Sequence, residues 1–250
     1  MILSEETLKL KQDFDEVYNA GYEAGKAEGG GDGWYDTFWD NYLNNGNNIA
    51  GDYSFAGYRW TDDVFNPKHN IKPTTAPYMF YRSQITDLKG ILERKGLTLD
   101  TSQCSNFAYM FSNSEITKLG IIDLRNGDVA ITRTQNTFNT PTLQYIEKVI
   151  VHSKNYAYHI SMFTGATSLT HVMFEGTIYQ NFTINASTLD LESAKSVLLA
   201  LKNHAGTTNE FAYNISLSSG TWSVLDADGA TSPNGNTWRE YVNDIGWNVG

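Results

Sequence analysis

Five histidines, one cysteine and a few closely spaced carboxylates are the residues of this chain with the means to do chemistry. His69, His152, His159, His171 and His204 form no H-E-x-x-H and no i,i+4 pair, the spacing that sets two imidazoles on one helical face for zinc. His152, His159 and His171 fall in neighbouring segments and meet on one surface if those segments stack. They then read either as a metal or pH-sensing cluster or as ordinary polar positions, the plainer reading being the favoured one. Asp226-Ala227-Asp228-Gly229 opens like a calcium loop, but Ala230 stands where the next ligand belongs and Ser232 offers only a hydroxyl. A solvated turn accounts for it better. Asp123 and Asp128 flank Asn126-Gly127; paired carboxylates suit glycoside chemistry, yet a turn also explains them. Cys104 has no evident histidine partner and reads as a small buried residue rather than a nucleophile. No G-x-S-x-G and no G-x-x-x-x-G-K-[ST] occurs, and Gly29-Gly30-Gly31-Asp32-Gly33 follows a helical pattern rather than a strand, so it reads as a hinge and not a phosphate loop. Asn181, Asn185 and Asn214 open Asn-x-Ser/Thr sequons, but the chain starts acidic (M-I-L-S-E-E-T), unlike a secretory signal, and the sequons are expected to be unused. The expectation is a non-enzymatic protein with no catalytic, cofactor-binding or metal residues.

Composition narrows the partners. The chain has 250 residues and a net charge of −10, and residues 1–45 hold ten acids against Lys9, Lys11 and Lys26. Seven of the ten net negative charges therefore lie in that head, and the rest is close to neutral. No basic face for a phosphate backbone is visible, which argues against nucleic acid. A single cysteine excludes an internal disulfide and a cysteine-based zinc site. No apolar run approaches the length that spans a bilayer. What stands out is a low-charge surface of Asn, Thr, Ser and Gly with 13% aromatics. Such a surface suits recognition of carbohydrate or protein. Tyr78, Tyr81, Tyr109, Tyr145, Tyr156, Tyr158 and Tyr179 are the aromatic candidates, each with a core or strand role as the alternative.

These residues need elements to place them. Residues 1–28 read as a helix capped by Ser4, with Leu3, Thr7, Leu10, Phe14, Val17 and Gly21 spaced as a short coiled-coil seam. Leu3, Leu10, Phe14 and Val17 are the candidate assembly residues, for self-association or docking. Folding back onto the same chain is the alternative, because a lone helix of this length is marginal in water. After the hinge at 29–33, Trp34–Asn45 reads as an amphipathic helix with an aromatic face, suited to an N-terminal cap.

The middle of the chain repeats itself. Tyr78-Met79-Phe80 through Leu88 overlays Tyr109-Met110-Phe111 through Leu119 with seven identities in eleven positions. The pattern returns as Phe138…Leu143…Ile146 and, one residue longer, as Phe163…Leu169…Val172. The phenylalanines at 80, 111, 138 and 163 are 31, 27 and 25 residues apart, and Phe55 with Trp60 begins an atypical first unit. A period of this length with apolar strand positions predicts an α/β leucine-rich-repeat solenoid, each unit covering its neighbour. The expected boundaries are 34–70 for the cap and first unit, 71–186 for the array and 187–250 for a helix–strand–helix C-terminal cap. Strands are predicted at 121–124, 149–151, 172–174 and 210–218. Helices are predicted at 87–95, at 190–203 with Asp190 as cap, and over 238–245 closed by Gly246; 226–235 reads as loop.

These repeats resemble BspA-type leucine-rich repeats, including units that begin with a Met-Phe pair, here Met79-Phe80, Met110-Phe111 and Met162-Phe163. The order of segments also resembles phage- or prophage-encoded leucine-rich-repeat proteins of gut bacteria: YDTFWDNY (35–42), GYRWTDDVFNPKHNIKP (57–73), FEGTI (174–178) and LDLESAKSVLLALK (189–202). The similarity is specific over 34–203, while 204–250 departs from the commonest tail. It implies a virion structural or adhesion component, such as a tail, fibre or decoration protein. Its partners would be copies of itself, other virion proteins, or a host-surface glycan or protein. A bacterial cell-surface adhesion protein is the alternative and a glycan-acting enzyme a remote one. No cofactor is implied.

Overall fold

Phenylalanine recurring every 25–31 residues builds the middle of the molecule. The computed structural model describes residues 54–58, 60–125, 133–151, 161–207, 213–229 and 232–250. The chain divides between residues 47 and 48, and every described residue belongs to the second unit. There, Phe55, Phe80, Phe111, Phe138 and Phe163 stack in sequence with centroids 5.1, 5.5, 5.8 and 4.8 Å apart. All five are fully buried, as are Met79, Met110 and Met162 beside them. Each buried ring stabilises the fold by about 1.5–3 kcal/mol through water exclusion. Backbone bonds tie successive layers: Phe55 N–H donates to Met79 O, Phe80 to Met110 O, Phe111 to Thr137 O and Phe138 to Met162 O.

Helix α1 (Leu88–Arg94) begins where Asp87 accepts from Gly90 N–H, and it buries Leu88, Ile91 and Leu92. Strands β1 (Lys118–Asp123), β2 (Tyr145–Val151) and β3 (His171–Gly176) form a parallel three-stranded sheet in that order. Leu119 pairs with Ile146 and Ile146 with Val172, so their apolar side chains share the core face. A second parallel sheet contains β4 (Phe182–Ile184), β5 (Tyr213–Leu217) and β6 (Trp247–Val249). Helices α2 (Leu191–Leu199), α3 (Ser219–Ala227) and α4 (Trp238–Asp244) carry the crossovers, and each opens on a side-chain cap, Asp190, Ser218 and Thr237.

This corrects the expected leucine-rich-repeat solenoid. Among the described residues the chain forms four helices and two separate three-stranded parallel sheets, a mixed α/β arrangement rather than one continuous repeat array. The phenylalanine period specifies stacked side chains but not a continuous strand ladder. Among the described residues the units with β-branched runs (Ile121-Ile122, Val149-Ile150-Val151) contribute to the first sheet, while Thr61↔Gln84, Ile71↔Leu99 and Asn106↔Arg133 are single bridges outside it. The first sheet ends at Gly176, whose φ of 97° turns the backbone away. The second sheet runs across residue 186, since β4 pairs with β5. The tail also differs from helix–strand–helix: 219–227 is helical and 247–249 adds a strand. The seam residues Leu3, Leu10, Phe14 and Val17, the hinge and the aromatic cap helix lie outside the described residues.

Candidate functional site

The turn around each phenylalanine dictates what stands at one edge of the stack. Two residues before the ring, Tyr78, Tyr109 and Asn136 have φ of 58°, 58° and 53°; two residues after it, Gly57, Arg82 and Asn113 have φ of 96°, 56° and 55°. The left-handed conformation aims each N–H at the next layer. Tyr78 N donates to Ala108 O, Tyr109 N to Gln135 O and Asn136 N to Ser161 O, with Gly57, Arg82 and Asn113 bonding to Tyr81, Ser112 and Asn139. Glycine and asparagine tolerate this conformation, whereas other L-residues there cost about 1–2 kcal/mol. Two tyrosines and an arginine thus occupy positions where Gly57, Asn113 and Asn136 show the easier solution.

Their side chains form one ridge. Tyr78 and Tyr109 stack with centroids 4.9 Å apart and an interplanar angle of 3°. Tyr81 meets Tyr78 edge-on at 5.5 Å and 88°. The Arg82 guanidinium lies 5.0 Å from the Tyr81 ring centre. Arg133 is exposed and bridges Asn106, three residues ahead of Tyr109. Burial, with smaller contributions from Tyr109 and Tyr81, raises the Tyr78 phenol above its ordinary pKa against the opposing charge of Arg133, so it remains a hydroxyl at neutral pH.

The arginines differ in their partners. Arg94, Arg125 and Arg239 each pair with a carboxylate, Asp87, Asp123 and Asp226 respectively. Among the described residues, Arg82 and Arg133 have no such pairing. Sequence reasoning singled out Tyr78, Tyr81 and Tyr109 but missed both arginines. The available signal was the recurrence of Tyr-Met-Phe-x-[Arg/Asn], in which Asn marks the left-handed position.

The other aromatic candidates stand apart from this ridge. Tyr145 stacks on His171 at 4.7 Å, and Tyr179 lies under Lys202, 5.7 Å from its ammonium. Tyr156 and Tyr158 lie outside the described residues, as do His152, His159 and Asp128. His171, the one of the three neighbouring histidines that lies among the described residues, is held by Asp190: Nδ1 lies 2.7 Å from Oδ2 and 3.5 Å from Ser193 Oγ. These three residue types match a catalytic triad, but the geometry does not relay a proton. Carboxylate and hydroxyl both address Nδ1, and the buried Ser193 Oγ accepts from Val172 N–H at 2.8 Å.

The remaining candidate groups have local partners. Asp228 pairs with Lys195 at 2.6 Å, and Asp226 with Arg239 at 3.5 Å, so both carboxylates of the calcium-like loop face cations of the chain itself. The Asp123 carboxylate receives Arg125, including Nη2 at 2.6 Å. Cys104 is buried. Asn181 Oδ1 accepts from Asn214 N–H at 2.8 Å and Asn214 Oδ1 from Asn248 Nδ2 at 3.3 Å, a side-chain ladder along the second sheet that employs two of the three sequon asparagines. Among the described residues no group of three or more His, Cys, Asp or Glu is placed to hold a metal ion, and no helix is long and apolar enough to cross a membrane.

Comparison with protein-family models, with curated proteins and with solved structures finds no match for this chain.

Proposed function

We propose that this protein is a non-enzymatic structural and recognition component, of the kind a phage or prophage particle displays, with a rigid stacked body that presents a surface for a ligand. The tyrosine–arginine ridge is the observation that carries the reading. Tyr78 and Tyr109 adopt a backbone conformation that disfavours them, and strain of that kind concentrates where a side chain serves a purpose beyond folding. The phenylalanine stack beneath is fully buried and holds the ridge in place. The placement in a particle rests on the segment order of 34–203 and on the seam at Leu3, Leu10, Phe14 and Val17, whose role would be docking or self-association.

Light scattering on the full-length chain tests the assembly half. The expected outcome is an oligomer for the wild type that Leu10→Asp with Phe14→Asp converts to monomer. A wild type that is monomeric, together with its absence from purified particles of a host culture producing it, sinks the reading.

A further inference from the structure

We propose that the ridge of Tyr78, Tyr81 and Tyr109 with Arg82 and Arg133 is a binding site for a carboxylate-bearing saccharide. This deepens the recognition role proposed above and rests on it. Two independent features of the ridge converge on that ligand class. The first is the aromatic surface. Three half-buried tyrosines meet in one cluster, two of them parallel at 4.9 Å and the third perpendicular at 5.5 Å, so ring faces, ring edges and phenolic hydroxyls adjoin on one surface. Sugar rings present apolar C–H faces rimmed by hydroxyls. Rigid aromatics that carry a polar tip complement both, and their two χ angles cost little entropy to order.

The second feature is charge. The chain carries net −10, and three of its described arginines are already matched to carboxylates. Among the described residues Arg82 and Arg133 are not: Arg82 lies over the Tyr81 ring, and Arg133, exposed and bridged to Asn106, is near enough for its charge to act on Tyr78. Planar guanidinium is suited to bidentate capture of a carboxylate, and Arg82 is preset by lying over the Tyr81 ring at 5.0 Å. A neutral glycan would use the rings and leave the two cations idle. An acidic peptide would use the cations without requiring the parallel ring faces, so a protein partner becomes an outcome of the test.

Backbone conformation separates this role from a structural one. Asn136 occupies the position equivalent to Tyr109 and keeps the same interlayer bond, to Ser161 O. Tyr109→Asn therefore removes the ring while retaining a backbone that asparagine adopts readily.

Isothermal titration of the full chain with tetragalacturonate, 3′-sialyllactose and an alginate tetramer, and with methyl-esterified tetragalacturonate as the neutral control, decides the matter. The expected result is binding of at least one acidic saccharide at low salt, weakened tenfold or more by esterification or by removing the carboxylate. Arg82→Gln with Arg133→Gln should abolish that discrimination, and Tyr109→Asn should lower affinity at least tenfold with little change in the urea midpoint. No binding by any acidic probe at millimolar concentration overturns the proposal. So does equal binding of the ester, or affinity that is indifferent to all three substitutions. Capture of a protein partner through Tyr109 without saccharide binding also overturns it, while leaving the recognition role intact. Failure of the particle experiment leaves these titrations unaffected, so the two readings fail separately.

Discussion

Tyr109 and Phe111 are two residues apart and face opposite demands. Phe111 is fully buried between Phe80 and Phe138, so Phe111→Ala removes contacts on both sides and opens a cavity; the expected cost is about 3–5 kcal/mol by urea denaturation. Tyr109 is half-buried at φ 58°. Tyr109→Asn loses a stacking contact worth about 0.5–1.5 kcal/mol and relieves about 1–2 kcal/mol of left-handed strain, so stability should stay within about 1 kcal/mol of the wild type. His204 supplies a pH-dependent counterpart. Its ring lies 3.7 Å from that of Tyr213 at 1°, with Nε2 buried. Burial, reinforced by the nearby Lys202 charge and opposed by a backbone bond to Tyr179, holds its pKa below the ordinary value. In the unfolded chain it titrates at about 6.5, so protons are taken up on unfolding below that pH and stability falls as pH drops from there towards the lower folded value. Urea midpoints at pH 7 and pH 5 should differ more for the wild type than for His204→Phe.

Helix caps and one glycine carry much of the local specification. Asp190 opens α2 by accepting from Ser193 N–H at 2.8 Å and also holds His171. Partial burial opposes its ionisation, but bonds from Ser193 and His171 outweigh it and keep the carboxyl below the usual range. Its contribution is thus complete above about pH 4, where an unfolded Asp is ionised, and is lost as pH falls through the lower folded value. Asp190→Ala should cost about 1 kcal/mol at pH 7, and the deficit should narrow in denaturation curves taken below pH 4. Asp190 was legible as a cap because a helical apolar pattern begins directly after it. Gly176 was not. A Cβ there would lie 1.8 Å from Val151 O, and φ is 97°. Gly176→Ala should therefore destabilise by about 1–3 kcal/mol, with a lowered urea midpoint. That need arises from a strand 25 residues earlier in the chain, which no local pattern displays.

In the whole molecule, the break between the two sheets is bridged by aromatics. Phe163, which ends the ring stack, meets Phe182 of β4 at 5.9 Å, and Phe182 meets Phe174 of β3 at 5.5 Å. Phe182→Ala should cost about 3–5 kcal/mol and, unlike Phe111→Ala, should separate unfolding of the two sheets into distinct transitions when tryptophan fluorescence is compared with far-ultraviolet circular dichroism. Three of the six tryptophans, Trp222, Trp238 and Trp247, lie in the second part, beyond residue 204, so fluorescence carries a signal from it that circular dichroism does not single out.

The spacing of Phe80, Phe111, Phe138 and Phe163 marked the rings that stack. The apolar runs at 121–124, 149–151 and 172–174 marked strands that extend over Lys118–Asp123, Tyr145–Val151 and His171–Gly176, and the helix expected at 87–95 forms over Leu88–Arg94. Extension of that spacing to one unbroken array failed, because continuity depends on whether each successive segment has a strand-forming run in register with its neighbour. The strand at 247–249 and the helix at 219–227 were illegible for a related reason: three residues of strand and a Ser-Gly-Thr helix start have weak local preference, and pairing with β5 and packing in the tail decide them. The tyrosines were visible as residue types; their union with Arg82 and Arg133 was not. It depends on left-handed turns that bring residues 24 to 55 positions apart onto one edge. Sequence by itself marked the recurring phenylalanines at 80, 111, 138 and 163 as side chains to be buried, since that follows from their chemistry. Tertiary structure alone decided which polar ones would meet, since that follows from register between distant segments.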